Sequence, residues 1–103
     1  SQGFPDFPSS ERLIELVYQY MQKGFNQYAP MAGVVPLREN LARKIDDLYG
    51  VNIHPDEITI TAGGTQALFT AITAFVRPGD EVILIEPAYD SYRPSIEVNG
   101  GIP

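Results

Sequence analysis

Apolar positions recur along this chain in two rhythms, a helical one in the first half and a β-like one further on. After an extended, proline-punctuated arm at residues 3–8, Ser9-Ser10-Glu11 supplies a helix start. Leu13, Val17 and Tyr20, with Ile14 and Met21 beside them, then form one stripe of a helix that Lys23-Gly24 closes. Residues 25–34 read as a loop. Pro36 opens a second helix, with Leu37, Leu41, Ile45 and Leu48 at helical spacing and an end near Gly50. Arg38, Glu39, Arg43, Lys44, Asp46 and Asp47 make up a mixed charged face, expected to be solvated.

The β-branched run Ile58-Thr59-Ile60-Thr61 predicts a strand, residues 66–75 a third helix, and Glu81-Val82-Ile83-Leu84-Ile85-Glu86 a second strand. Four consecutive apolar residues, 82–85, suit a strand covered on both faces. Strand, helix and strand over about 30 residues match a right-handed parallel crossover, which brings both strand ends to one edge of a sheet. The expected fold class is therefore α/β, and such sheets keep their ligands at that edge.

Chemistry enters at the first strand-to-helix junction, Thr61-Ala62-Gly63-Gly64-Thr65-Gln66-Ala67. Paired glycines let the backbone turn tightly, and the first N–H groups of the following helix point outward with the positive end of its dipole behind them. That layout suits a dianionic phosphate, although a Gly-Gly turn with Thr65 as a helix cap would read the same way locally. A nucleoside-triphosphate loop is excluded because no lysine follows Gly64, and a dinucleotide fingerprint because the glycines are adjacent instead of spaced G-x-G-x-x-G. Glu86 stands about 20 residues on, where that second motif would place a ribose-binding carboxylate, but with the wrong glycines before it and proline after it.

Four motifs in order, Gln2-Gly3-Phe4-Pro5-Asp6-Phe7, Asn26-Gln27-Tyr28-Ala29-Pro30-Met31-Ala32-Gly33, Ile60-Thr61-Ala62-Gly63-Gly64-Thr65-Gln66-Ala67-Leu68 and Glu86-Pro87-Ala88-Tyr89-Asp90-Ser91-Tyr92, span essentially the whole chain. Together they resemble the pyridoxal-phosphate-dependent aminotransferases of fold type I, class I/II, and within them the methionine, glutamine and kynurenine aminotransferase branch. The resemblance implies the N-terminal part of the aspartate aminotransferase-like transferase fold. Residues 1–34 would be an arm, first helix and dimer-interface loop, and residues 35–103 the start of the large cofactor-binding domain. It implies that backbone N–H groups of Gly64, Thr65 and Gln66 hold the cofactor phosphate, with the Thr65 hydroxyl as a further donor. Tyr89 would stack on the pyridine ring. Tyr28 would reach across a homodimer to the phosphate in the other subunit, and Gly3 would lie near the substrate carboxylate. Taken alone, Tyr89 and Tyr28 are equally compatible with ordinary packing, and Gly3 with a turn before Pro5.

The resemblance also implies that the lysine forming a Schiff base with the cofactor, the acidic partner of the pyridine nitrogen and the substrate-binding arginine all come after Pro103. Lys23 and Lys44 match no catalytic position and read as solvated helix charges. The 103 residues are accordingly expected to be part of a longer polypeptide and inactive alone. The expected reaction of the complete protein is amino transfer between an α-amino acid, with methionine, glutamine and aromatic residues as candidates, and a 2-oxo acid. Other pyridoxal-phosphate chemistry such as elimination or decarboxylation, and a non-catalytic cofactor-binding regulatory domain, are the alternatives.

Thirteen acids against seven bases give a net charge of −6 with no basic cluster, which argues against a nucleic-acid or anionic-membrane surface. No apolar run approaches the roughly 18 residues of a membrane span. The sequence has no cysteine, which fits a reducing compartment, and a cytoplasmic location is expected. A lone His54 without cysteines makes no metal site and reads as surface loop.

Overall fold

The computed structural model describes residues 3–103; Gln2 of the opening motif lies outside the described residues. The chain divides into two compact units, Ser1–Pro30 and Met31–Pro103.

The first unit is built on α1, Glu11–Gln22, with Glu11 in its first turn, where a negative charge complements the helix dipole. Its end is a Schellman motif. Gly24 takes φ +86°, Phe25 N–H donates to Tyr20 O at 3.0 Å and Gly24 N–H to Met21 O at 3.0 Å. The apolar contact that accompanies such a cap is the edge-on pair of Tyr20 and Phe25, whose ring centroids are 5.4 Å apart. The stripe predicted from Leu13, Val17 and Tyr20 remains about half exposed, and the partly buried positions of α1 are Leu16 and Gln19.

The second unit contains α2, Val35–Tyr49, a 3₁₀ turn at Pro55–Glu57, α3, Gly64–Phe75, and α4, Tyr92–Val98. Pro36 sits in the first turn of α2 and Gly50 ends it in the left-handed region at φ +64°, as the sequence predicts. His54 lies in the surface turn, its Nδ1 accepting from Asp56 N–H while its own N–H donates to Glu57 Oε2 at 2.7 Å.

Arg38 departs from expectation. Instead of joining a solvated face, its side chain is only 10% exposed. Its Nε donates to Gly33 O at 3.2 Å, and its Nη1 donates to Pro55 O at 2.9 Å and to Asp56 Oδ1 at 3.0 Å. The guanidinium fork can serve three acceptors in one plane, which offsets the cost of removing the charge from water. Ile60 N–H donates to Ala32 O at 3.0 Å, so the loop at residues 32–33 is tied to the chain entering α3 through Ala32 and to α2 through Gly33. Arg38→Met keeps the stem's bulk but leaves two carbonyls without their donor. It is expected to lower stability by about 2–3 kcal/mol, read as a fall in the denaturant midpoint of the full-length natural polypeptide.

The predicted pairing of two strands is also corrected. Among the described residues no hydrogen bond joins residues 58–61 to residues 81–86. The parallel contact forms one crossover later. Glu81 makes a parallel bridge with Ile102, with Val82 N–H on Ile102 O at 2.9 Å and Ile102 N–H on Asp80 O at 2.8 Å. The connection runs through α4, as a parallel pair requires. Consecutive strands neighbour one another only about two-thirds of the time, so sequence order alone does not fix the partner. Val82 and Leu84 are partly buried, whereas Ile83 and Ile85 are 93% and 86% exposed, so the described residues cover one face of this segment, not two.

Ile96 of α4 is the most deeply buried side chain of the second unit. Gly101 passes it so closely that an added Cβ would lie 2.7 Å from Ile96 Cγ2 and 2.6 Å from Val76 Cγ1. α4 packs on α3, and Asn99 ties the pair by donating to Thr73 Oγ1 at 3.2 Å and to Ser95 O at 2.7 Å.

Candidate functional site

The junction into α3 has the form that the sequence predicts, with a sharper division of labour between its glycines. Gly63 takes φ +128° and ψ 164°, a region open in practice only to glycine, whereas Gly64 is the first residue of the helix. Only the first glycine is needed for the turn. Ala67 N–H donates to Gly63 O at 3.2 Å and begins the helical ladder. Among the described residues the N–H groups of Gly64, Thr65 and Gln66 have no acceptor, and no side chain caps this end. The Thr65 hydroxyl makes no hydrogen bond either.

Two neighbouring side chains are used inside the turn. Thr61 Oγ1 donates to Gly63 O at 2.9 Å, and Gln66 Oε1 accepts from Ala62 N–H at 2.6 Å. The Gln66 side chain is thus turned to the backbone, and what this residue offers a ligand is its N–H. Among the described residues, the adjoining backbone aside, nothing lies within 4 Å of a Cβ built at Gly63 or Gly64, so the helix tip is open. Three free donors, the positive end of a helix dipole and an open approach to them together fit a phosphate dianion.

Tyr89 stands just before α4, 56% exposed, its ring edge-to-face with Tyr92 at 5.8 Å and 73°. That contact orients a ring otherwise free to make a further aromatic contact. Glu86 pairs with Arg93 at 3.6 Å, which gives the carboxylate a local partner. Tyr28 and Gly3 belong to the first unit. Tyr28 is fully exposed, and Gly3 has open space where a side chain would stand. Among the described residues no three His, Cys, Asp or Glu side chains cluster to hold a metal, and no helix is long and apolar enough to cross a membrane.

Comparison with known proteins decides what this junction belongs to. The family model for aminotransferase class I and II matches residues 1–103. The chain belongs to the class I and II aminotransferases. It is 54% identical over 103 residues to methionine aminotransferase of Escherichia coli, covering 99% of this chain and 27% of that protein. It is 42% identical over 99 residues to aspartate aminotransferase of Thermotoga maritima, covering 96% and 26%. The crystal structure of YbdL from Escherichia coli, for which a methionine aminotransferase function was identified, superposes with a TM-score of 0.94 at 54% identity, covering 99% of this chain and 27% of that one. The chain therefore spans about a quarter of the length of these relatives, and its fold is that of the corresponding stretch of aspartate aminotransferase-like proteins.

The bonds that Thr61 and the Gln66 side chain make inside the turn of this aminotransferase chain add to what the motif alone implies. A hydroxyl two residues before the turn glycine and an amide four residues after Ala62 were the available signals, since short polar side chains bond nearby backbone groups in turns.

Proposed function

We propose that this chain supplies the phosphate-binding end of a pyridoxal-phosphate-dependent aminotransferase, which exchanges an amino group between an α-amino acid and a 2-oxo acid. The observation that carries this reading is the open tip of α3, with three unpartnered N–H groups on a chain of this family. Bound there, pyridoxal phosphate supplies the carbonyl that accepts the amino group and a ring that withdraws electrons from the substrate carbon. The protein's part is to bind and orient. Gly64, Thr65 and Gln66 grip the phosphate through backbone N–H groups and the Thr65 hydroxyl, and Tyr89 stacks on the pyridine ring. Tyr28 is assigned to the phosphate of the other subunit in a homodimer, a role for which its fully exposed phenol leaves it free. Gly3 is assigned to the substrate carboxylate, where its N–H is unobstructed by a side chain. Residues 35–103 begin the cofactor domain and residues 1–34 form the arm, first helix and dimer-interface loop. The 103 residues alone are proposed to be inactive, and the cysteine-free sequence suits a reducing cytoplasm.

Methionine is the favoured amino donor on the 54% identity to a methionine aminotransferase, with glutamine and aromatic amino acids next. The test incubates the full-length natural polypeptide and pyridoxal phosphate with methionine and a 2-oxo acid. The expected result is a new amino acid formed in step with the 2-oxo acid of methionine, and none without cofactor. Release of ammonia in place of a second amino acid would assign elimination chemistry instead, and cofactor binding without turnover of methionine, glutamine or an aromatic amino acid would assign a regulatory domain.

A further inference from the structure

The Gly63-Gly64 peptide unit has no Cβ on either side, so rotating its plane meets no side chain of its own. In a planar trans peptide the carbonyl and the N–H point in opposite directions. The Gly63 carbonyl is held by two donors, Ala67 N–H at 3.2 Å and Thr61 Oγ1 at 2.9 Å. While it is held, the Gly64 N–H at the other end of the same plane is directed out of the helix tip. If the plane turned over, a carbonyl oxygen would replace that donor and repel an anion. The Ala67 bond is the first of the helical ladder and frays easily, since a helix end gains less from each bond than its interior. The Thr61 bond comes from a partly buried residue on the incoming segment, which Ile60 N–H fixes to Ala32 O at 3.0 Å.

We propose that Thr61 is a positioning residue of the phosphate cradle, its hydroxyl locking the Gly63-Gly64 peptide so that Gly64 N–H faces the phosphate; this rests on the phosphate-binding reading above. Thr61 itself touches no ligand. The orientation is set before binding, so the cost of ordering the turn is not charged to the complex.

The test measures noncovalent binding of pyridoxamine phosphate and of pyridoxamine to the cofactor-free full-length natural polypeptide, by calorimetry. The two ligands differ only in the phosphate. Thr61→Val has nearly the same shape without the donor. It is expected to weaken pyridoxamine phosphate binding about 5- to 10-fold and to leave pyridoxamine within about twofold. Thr61→Ser, which restores the donor, is expected to bind both ligands as the natural protein does. Thr61→Ala provides the same comparison if the valine variant does not fold. A removal variant that leaves the ratio of the two affinities unchanged, or a serine variant that fails to restore it, would overturn the role of Thr61 alone. A natural protein that does not prefer pyridoxamine phosphate over pyridoxamine would overturn the phosphate reading and Thr61 with it.

Discussion

Gly63→Ala is expected to weaken binding of pyridoxamine phosphate to the full-length natural polypeptide by about 10- to 100-fold, whereas the neighbouring Gly64→Ala changes it by less than about threefold. The two substitutions add the same methyl group to adjacent positions, and among the described residues neither Cβ meets anything but the adjoining backbone within 4 Å. They differ in backbone. Gly63 holds φ +128° and ψ 164°, where a side chain costs on the order of 1–3 kcal/mol. The chain relieves that strain by moving out of the region, which reorients the Gly63 carbonyl and with it the Gly64 N–H. Loss of one charge-assisted bond to a dianion costs about 1.5–3 kcal/mol, which sets the range given. Gly64 lies in the helix, where alanine is compatible and lowers the entropy of the unfolded chain, so Gly64→Ala is expected to raise stability by about 0.4–1 kcal/mol. Titration calorimetry on the pair of variants checks both halves. Equal losses would mean that the glycines matter as absent side chains, not for the conformation of the first.

Gly33→Ala is expected to have the largest effect on stability, about 3 kcal/mol. Gly33 takes φ +99°, for which a non-glycine residue pays about 1–2 kcal/mol. The added Cβ would also stand 2.8 Å from Ile60 Cβ and closer still to its Cγ1. That overlap cannot be relieved by a flexible tip, and overpacking of this kind costs about 1–3 kcal/mol. The same residue's carbonyl accepts from Arg38 Nε, so displacement of Gly33 loosens the clasp as well. Denaturant midpoints of Gly33→Ala, Ile60→Ala and the double variant separate the two causes. The part of the overlap made by Ile60 Cγ1 appears as a favourable coupling of about 1–2 kcal/mol in the double variant, and the φ strain and the close approach to the Cβ of residue 60 persist in it.

Features set by local chemistry were legible in the sequence. Lys23-Gly24 and Gly50 end their helices where predicted, because a left-handed cap needs glycine at one position whatever surrounds it. The glycine-entered open tip of α3 was legible for the same reason, and the order of the four motifs pointed to the family that the comparisons establish. Features set by distant partners were not. Helical spacing put Arg38 among solvated charges, but the buried face of α2 runs through Arg38, Ala42 and Ile45, and Leu48 is left exposed. That rotation is fixed by Asp56 and Pro55, which no helical period reveals. The parallel partner of Glu81 was hidden similarly, since it depends on α4, a seven-residue helix too short for a periodic signal. Pro94 in its first turn, where proline is tolerated, was the one local sign of it.

The N-terminal tip of α3 is proposed to hold the phosphate of pyridoxal phosphate. A crystal structure of the full-length natural polypeptide with bound pyridoxal phosphate tests it most directly. Phosphate oxygens are expected within about 3 Å of the backbone nitrogens of Gly64, Thr65 and Gln66. Gly63 is expected still in its present conformation and the Tyr89 ring against the pyridine. A phosphate seated elsewhere, with those three N–H groups on water or on another segment of protein, would contradict it.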